Sequence, residues 1–193
     1  ISAGLFACRD GRGLDVLTVR AEYLNADDDT EAGLPDLLGR SIRTSRRPDA
    51  FRMAVTWHAL GTAGLGALID RCRGTATGVA QAIVEHPRLR LWGMPVLSTV
   101  LLRPSIAEEL TDSAADELVA RVRRALLEAG TAVVGRASMP TGTDGAQQLW
   151  LKLTLLHPHA SIEDYRALLE LIVMTAVVES VNPQGAEGSP VAS

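Results

Sequence analysis

The sequence predicts an α/β chain in two unequal parts, and three observations lead there. From Leu89 to Val178 the pattern reads strand, strand, helix, strand, strand, helix. That is the order of a small α+β domain with helices on one face of a largely antiparallel sheet. Residues 1–88 supply two short extended runs and a long helical layer, too few strands to close a sheet of their own. Residues 182–193, NPQGAEGSPVAS, have the composition of a disordered tail. The expected organisation is therefore a helical and partly extended portion at 1–88, a small α+β domain at 89–181, and a tail at 182–193.

The elements follow in order. Ile1 to Arg9 is apolar and strand-like, DGRG at 10–13 is a turn, and Leu14 to Arg20 reads as a second extended piece. Residues 25–39 are acidic, contain glycine and are broken by Pro35, so they read as a mobile loop. From Asp49 a helix is predicted, with Phe51, Ala54, Val55, His58 and Ala59 at helical spacing and Gly61 at its end. A second helical run carries Leu65, Leu68, Ile69 and Cys72 on one face. It continues through Val79, Ile83 and Val84 to His86, where Pro87 stops it.

At Leu89 the texture changes. RLRLWGM and PVLSTVLLRP alternate as strands do. Ser113 reads as a helix N-cap with Asp116 three residues on, as in a capping box, and Gly130 as the stop. Thr131 to Ser138 is predicted as a strand, Met139 to Gly145 as a loop, and Gln148 to Leu156 as a strand. The last strand places Trp150, Lys152 and Thr154 on one face and Leu149, Leu151, Leu153 and Leu155 on the other. Ser161 and Asp164 form a capping box for the last helix.

Composition narrows the function. Hydrophobic residues make up 47% of the 193 and charged ones 22%, enough to bury a core. A net charge of −4 argues against a general nucleic-acid binder. No apolar run approaches the roughly 20 residues of a membrane span. Cys8 and Cys72 have neither metal-ligand nor disulfide spacing, so a reducing cytoplasm is expected. The chain has one lysine, Lys152, against eighteen arginines. Any chemistry that needs an amine nucleophile must use Lys152 or import a lysine. The chain opens at Ile1 directly into an apolar run, as a piece of a longer polypeptide does.

Two stretches carry chemistry. In SIRTSRRPDAFRM, Ser41, Thr44 and Ser45 alternate with Arg43, Arg46 and Arg47 just ahead of Pro48 and the helix. Hydroxyl and guanidinium donors at a helix start suit a phosphate or carboxylate, and a solvated basic turn has the same composition. In AEYLNADDD, Tyr23 stands at the base of the acidic loop. Such a tyrosine is either a general acid that closes over a substrate or a ring that anchors the loop, and the residues alone leave both open. The remaining candidates have simpler readings. His58 reads as a core histidine, His86 as a cap, and His157 and His159 as an H-x-H pair without a third metal ligand. Trp57, Trp92 and Trp150 read as core or interface.

Five stretches in order resemble the C-terminal part of the group II pyridoxal-phosphate-dependent amino-acid decarboxylases, over residues 1 to about 178. ISAGLFACRD is similar to the strand that follows the family's cofactor lysine. AEYLN is similar to the tyrosine-leucine step on its mobile catalytic loop. RSIRTSRRPDAFRM resembles a family signature that usually has Phe at the place of Pro48 and Lys at that of Arg52. WHALGTAGLGALID resembles the helix and turn that follow. LSTVLLRP and LWLKLTLLHPHAS resemble strands of the small C-terminal domain, with His157 where many relatives have Asn. The SIRTSRR type is closer to the diaminobutyrate and siderophore-linked branch than to the aromatic one.

The resemblance implies a fold-type I large-domain portion followed by the small α+β domain, and pyridoxal 5'-phosphate as cofactor. It implies amino-acid α-decarboxylation, with Tyr23 as the proton donor to the substrate Cα. Thr44, Ser45 and Arg46 are implied contacts to the cofactor phosphate across a homodimer interface. The cofactor-anchoring lysine is then expected on an N-terminal part, a separate or cleaved chain, and Lys152 is expected to be a strand lysine. Two competing readings are a decarboxylase-like module kept only for dimerisation or assembly, and an oxidative, aldehyde-forming relative. The substrate side-chain pocket is expected mainly outside these residues.

Overall fold

The computed structural model describes residues 6–17, 47–141 and 146–181. The chain divides into two compact units, Ile1–Leu65 and Gly66–Ser193. The expected tail at 182–193 lies outside the described residues.

In the first unit, Phe6–Asp10 form no regular element and Gly11–Leu17 form a 3-10 helix. The expected second extended piece, from Leu14, is therefore helical where it is described. The cause is local. The Asp10 carboxylate accepts the Arg12 backbone N–H at 3.0 Å and binds the Arg12 guanidinium. A short acidic side chain that bonds two residues ahead draws the backbone into a turn instead of an extended run.

Helix α1 (Asp49–Glu85) starts after Pro48, whose carbonyl accepts the Arg52 N–H at 3.2 Å. Asp49 in its first turn opposes the positive end of the helix dipole. Gly61 interrupts the helix at φ 63 and ψ 178, a conformation that side chains disfavour, and the helix resumes at once. Before the interruption the predicted inward stripe faces solvent: Phe51 is 68% exposed, and Ala54, Val55, His58 and Ala59 are exposed as well. The core-histidine reading of His58 does not hold, because His58 is exposed together with the rest of that stripe.

The second unit closes on a core. Residues 66–85 of α1 turn Cys72, Ala76, Val79, Ala80 and Ile83 inward. Ile69 and Val84, which the pattern also placed inward, are exposed. The sheet consists of β1 (Leu89–Leu91), β2 (Thr99–Pro104), β3 (Gly135–Thr141) and β4 (Ala146–Thr154) in the order β1-β2-β4-β3, all antiparallel. Helices α2 (Asp112–Glu128) and α3 (Ile162–Val181) complete the unit. Val100, Leu102, Leu151, Leu153 and Leu155 pack with residues of all three helices in one cluster, so the expected α+β sandwich is present.

Three boundaries differ from the pattern, each for a local reason. Helix α2 is capped by Thr111, whose hydroxyl accepts the Ala114 N–H at 3.5 Å, and not by Ser113. Asp116 is drawn into the sheet instead, where it accepts the Leu149 N–H at 2.9 Å. Strand β3 begins four residues late because the Thr131 and Ala132 N–H groups bond back to the Leu126 carbonyl, completing the helix end with Gly130 at φ 65. It then runs to Thr141, so the predicted loop from Met139 begins as strand. The Ser161 box is formed as predicted: the Asp164 carboxylate accepts the Ser161 N–H at 2.9 Å and the Ser161 hydroxyl accepts the Asp164 N–H at 3.2 Å.

Candidate functional site

The residues on which the sequence concentrates its chemistry, Tyr23, Thr44, Ser45 and Arg46, lie outside the described residues. What is described is the frame next to the last three. Arg47 and Pro48 lead directly into α1, with the Asp49 N–H donated to the Arg47 carbonyl at 2.7 Å. The Arg52 guanidinium stands 4.0 Å from the Asp49 carboxylate. In sequence, Thr44-Ser45-Arg46 immediately precedes a helix N-terminus. The donor set of two hydroxyls and a guanidinium matches a phosphate dianion, so the residues present fit the phosphate end of pyridoxal phosphate.

They do not fit the aldehyde end. Lys152, the sole lysine, sits inside β4, opposite Gly135 on one side and Leu101 on the other. It is half-buried within the second unit, as expected of a strand lysine.

The histidines are accounted for by their partners. His86 accepts the Arg88 N–H on Nδ1 at 3.1 Å and meets Glu170 through Nε2 at 3.2 Å, which ties the end of α1 to α3. His157 accepts the His159 N–H at 3.2 Å, so the H-x-H spacing is used by a turn. No group of three or more metal-ligating side chains occurs among the described residues. Trp150 is buried, whereas Trp57 and Trp92 are exposed.

One group escaped the sequence reading. Arg103 is 4% exposed and donates to Asp116 at 2.8 Å, with its guanidinium carbon 6.0 Å from the Trp150 ring centre. Among the described residues, the Arg103 Nε and the Trp150 indole nitrogen have no hydrogen-bond partner. The motif LSTVLLRP marks Arg103 only as a strand-end arginine. Its burial depends on a helix that follows it.

Comparison with known proteins gives the frame a context. No protein-family model matches the chain. It is 36% identical over 176 residues to L-2,4-diaminobutyrate decarboxylase of Rhizobium meliloti, covering 91% of this chain and 34% of that protein. The enzyme of the same name from Acinetobacter baumannii is 31% identical over 183 residues, with 91% and 33% covered. The chain is similar to the C-terminal part of group II pyridoxal-phosphate-dependent decarboxylases. It spans about a third of the length of the curated relatives it matches. Among solved structures, it resembles the glutamate decarboxylase domain of diaminobutyrate-pyruvate transaminase and L-2,4-diaminobutyrate decarboxylase from Vibrio parahaemolyticus. That likeness has a TM-score of 0.59 at 32% identity and covers 74% of this chain and 28% of that one. Oryza sativa TDC with PLP and tryptamine gives a TM-score of 0.67 at 20% identity over 87% of this chain and 34% of that one, a likeness of fold. The group II decarboxylase fold therefore accounts for the helix, the antiparallel sheet and their order.

Proposed function

We propose that this chain is part of a pyridoxal-phosphate-dependent L-amino-acid α-decarboxylase acting on a short diamino acid of the 2,4-diaminobutyrate type. The observation that carries this reading is the 36% identity across 91% of the chain to a protein of that name. When bound, the cofactor supplies the electron sink that lets CO2 leave. Tyr23 then donates its phenolic proton to the substrate Cα, within a site that the 24–39 loop closes against water. Thr44, Ser45 and Arg46 hold the cofactor phosphate, as donors to a dianion. Asp27, Asp28 and Asp29 favour the approach of a substrate with a cationic side chain.

The working enzyme is a homodimer in the cytoplasm, and the cofactor-anchoring lysine comes from an N-terminal part of the same enzyme. The exposed apolar side chains Phe51, Val55 and Trp57 on one short run of α1 support an assembly of this kind, since such a surface is ordinarily covered. No helix among the described residues is long and apolar enough to cross a membrane.

The test uses the natural protein that contains this chain, assayed for CO2 and amine release from 2,4-diaminobutyrate and for the visible absorbance of lysine-bound pyridoxal phosphate. Tyr23→Phe is expected to keep the absorbance and slow amine release about a hundredfold or more. Wild-type amine release by Tyr23→Phe removes the proton-donor role. A protein with neither absorbance nor turnover supports the assembly-module reading instead.

A further inference from the structure

A cleft of about 340 Å³ opens in the second unit where β3 and β4 part beside α3. That volume is at the small end of the range for small-molecule sites. Strand β3 begins at Gly135, opposite Lys152, while β4 runs on to Thr154. The Leu155 N–H turns toward β2 and reaches the Ser98 carbonyl at 2.7 Å. The Thr154 N–H, one residue earlier, therefore turns to the β3 side, where the strand has not yet started. Among the described residues the β3–β4 register ends at Gly135 and Lys152, two residues short of it.

The side chains around this gap are all donors or apolar. Arg136, Lys152 and Tyr165 line it, and no acidic residue does. Among the described residues, neither Arg136 nor Lys152 is engaged in an ion pair. Arg136 lies opposite Leu151 in the register, on the helix-covered side where Tyr165 and Leu168 of α3 also lie. Burial pushes the Tyr165 phenol up, with the nearby Cys72 and Asp164 adding to it, so the hydroxyl stays protonated and able to donate at neutral pH. Val133, Leu153, Leu155 and Leu168 form the apolar wall. Lys152 belongs to the opposite face of β4, so Arg136 is the cation on the leucine side of the cleft; with no ion-pair partner for it among the described residues and no carboxylate in the lining, that side is locally set for an anion.

We propose that this cleft binds an organic carboxylate with an apolar body, the carboxylate meeting Arg136, Tyr165 and the Thr154 N–H and the body lying on the leucine wall. The site belongs to the sheet unit alone and does not depend on the reaction proposed above.

Calorimetric titration of benzoate into the protein that contains this chain tests the inference, with benzamide as the uncharged counterpart and sodium chloride at matched ionic strength. Saturable benzoate binding is expected, with none for benzamide. Arg136→Gln, at an exposed position with an unchanged circular dichroism spectrum, is expected to weaken benzoate about tenfold through loss of a charge-assisted hydrogen bond. Tyr165→Phe is expected to weaken it by a smaller factor. Absence of saturable binding overturns the proposal, as does benzoate binding that both variants leave unchanged. Because the readout is binding, failure here leaves the decarboxylase reading standing, and loss of that reading leaves this one standing.

Discussion

The two units solve the problem of apolar surface in opposite ways. In the second, Ile83, Leu102, Leu118, Leu151 and Ile172 are fully enclosed between sheet and helices. In the first, no described residue is buried, and one helix carries Phe51, Val55 and Trp57 in the open. Both segments have helical spacing of apolar residues, yet among the described residues only the second lies against a sheet. An amphipathic pattern shows that a face is meant to be covered, and the partner surface decides whether it is. The comparison fits a chain that spans about a third of its curated relatives.

The contrast is most directly broken by core truncation. Leu151→Ala is expected to cost about 3 kcal/mol in urea unfolding followed by circular dichroism, because the site is walled on all sides. Trp57→Ala in the same chain is expected to change stability by no more than about 0.5 kcal/mol, as for exposed positions generally. Equal losses would mean that the first helix is covered in solution.

The Arg103–Asp116 pair tests what ties the sheet to α2. Asp116→Ala leaves a guanidinium buried without its carboxylate and frees the Leu149 N–H. A loss of about 3 kcal/mol is expected, and Arg103→Met in the same background is expected to restore much of it. Restoration would show that the cost lies in the stranded charge; no recovery would place it in the lost Leu149 bond.

A smaller effect is expected at Gly61, the interruption in α1. Gly61→Ala must adopt φ near 63 with ψ near 178, a region all but closed to side chains, which costs about 2 kcal/mol unless the helix straightens there. A gain in helical signal with no loss of stability would mean that the kink is optional.

The smallest effects compare one exposed carboxylate in each unit. The Ser161 N–H and hydroxyl hold the Asp164 carboxyl below its usual range, and the Arg12 guanidinium and N–H do the same for Asp10. A depressed folded-state value means that each contribution is fully present above the ordinary carboxylate pKa and is lost as pH falls through the folded value. Ser161→Ala is expected to flatten the acid-side fall in melting temperature of the sheet unit. Arg12→Ala is expected to leave that fall unchanged, since Asp10 belongs to the other unit.

Much of the second unit was legible because its signals are local. Alternation marked β4, the Ser161–Asp164 spacing marked α3, and Gly130 marked the end of α2. The errors came from competition between neighbours. Asp116 had the spacing of a capping box but found a buried arginine, and Thr131 had the look of a strand start but completed the preceding helix. The candidate catalytic residues were legible only through resemblance, because a tyrosine on a loop and a hydroxyl-arginine run have the same local physics in a site and in a solvated turn.

By itself, the sequence determined the helices and the sheet strands of the second unit to within a few residues, the breaks at Gly61 and Gly130, and that Lys152 lies in a strand. These depend on backbone preference and on the period of apolar residues, which act within a few positions. The tertiary structure alone decided that Arg103 is buried against Asp116, that His58 is exposed, and that Arg136, Lys152 and Tyr165 share one cleft. Those outcomes depend on which surfaces meet across long stretches of chain, and burial and charge environment exist only once they have met.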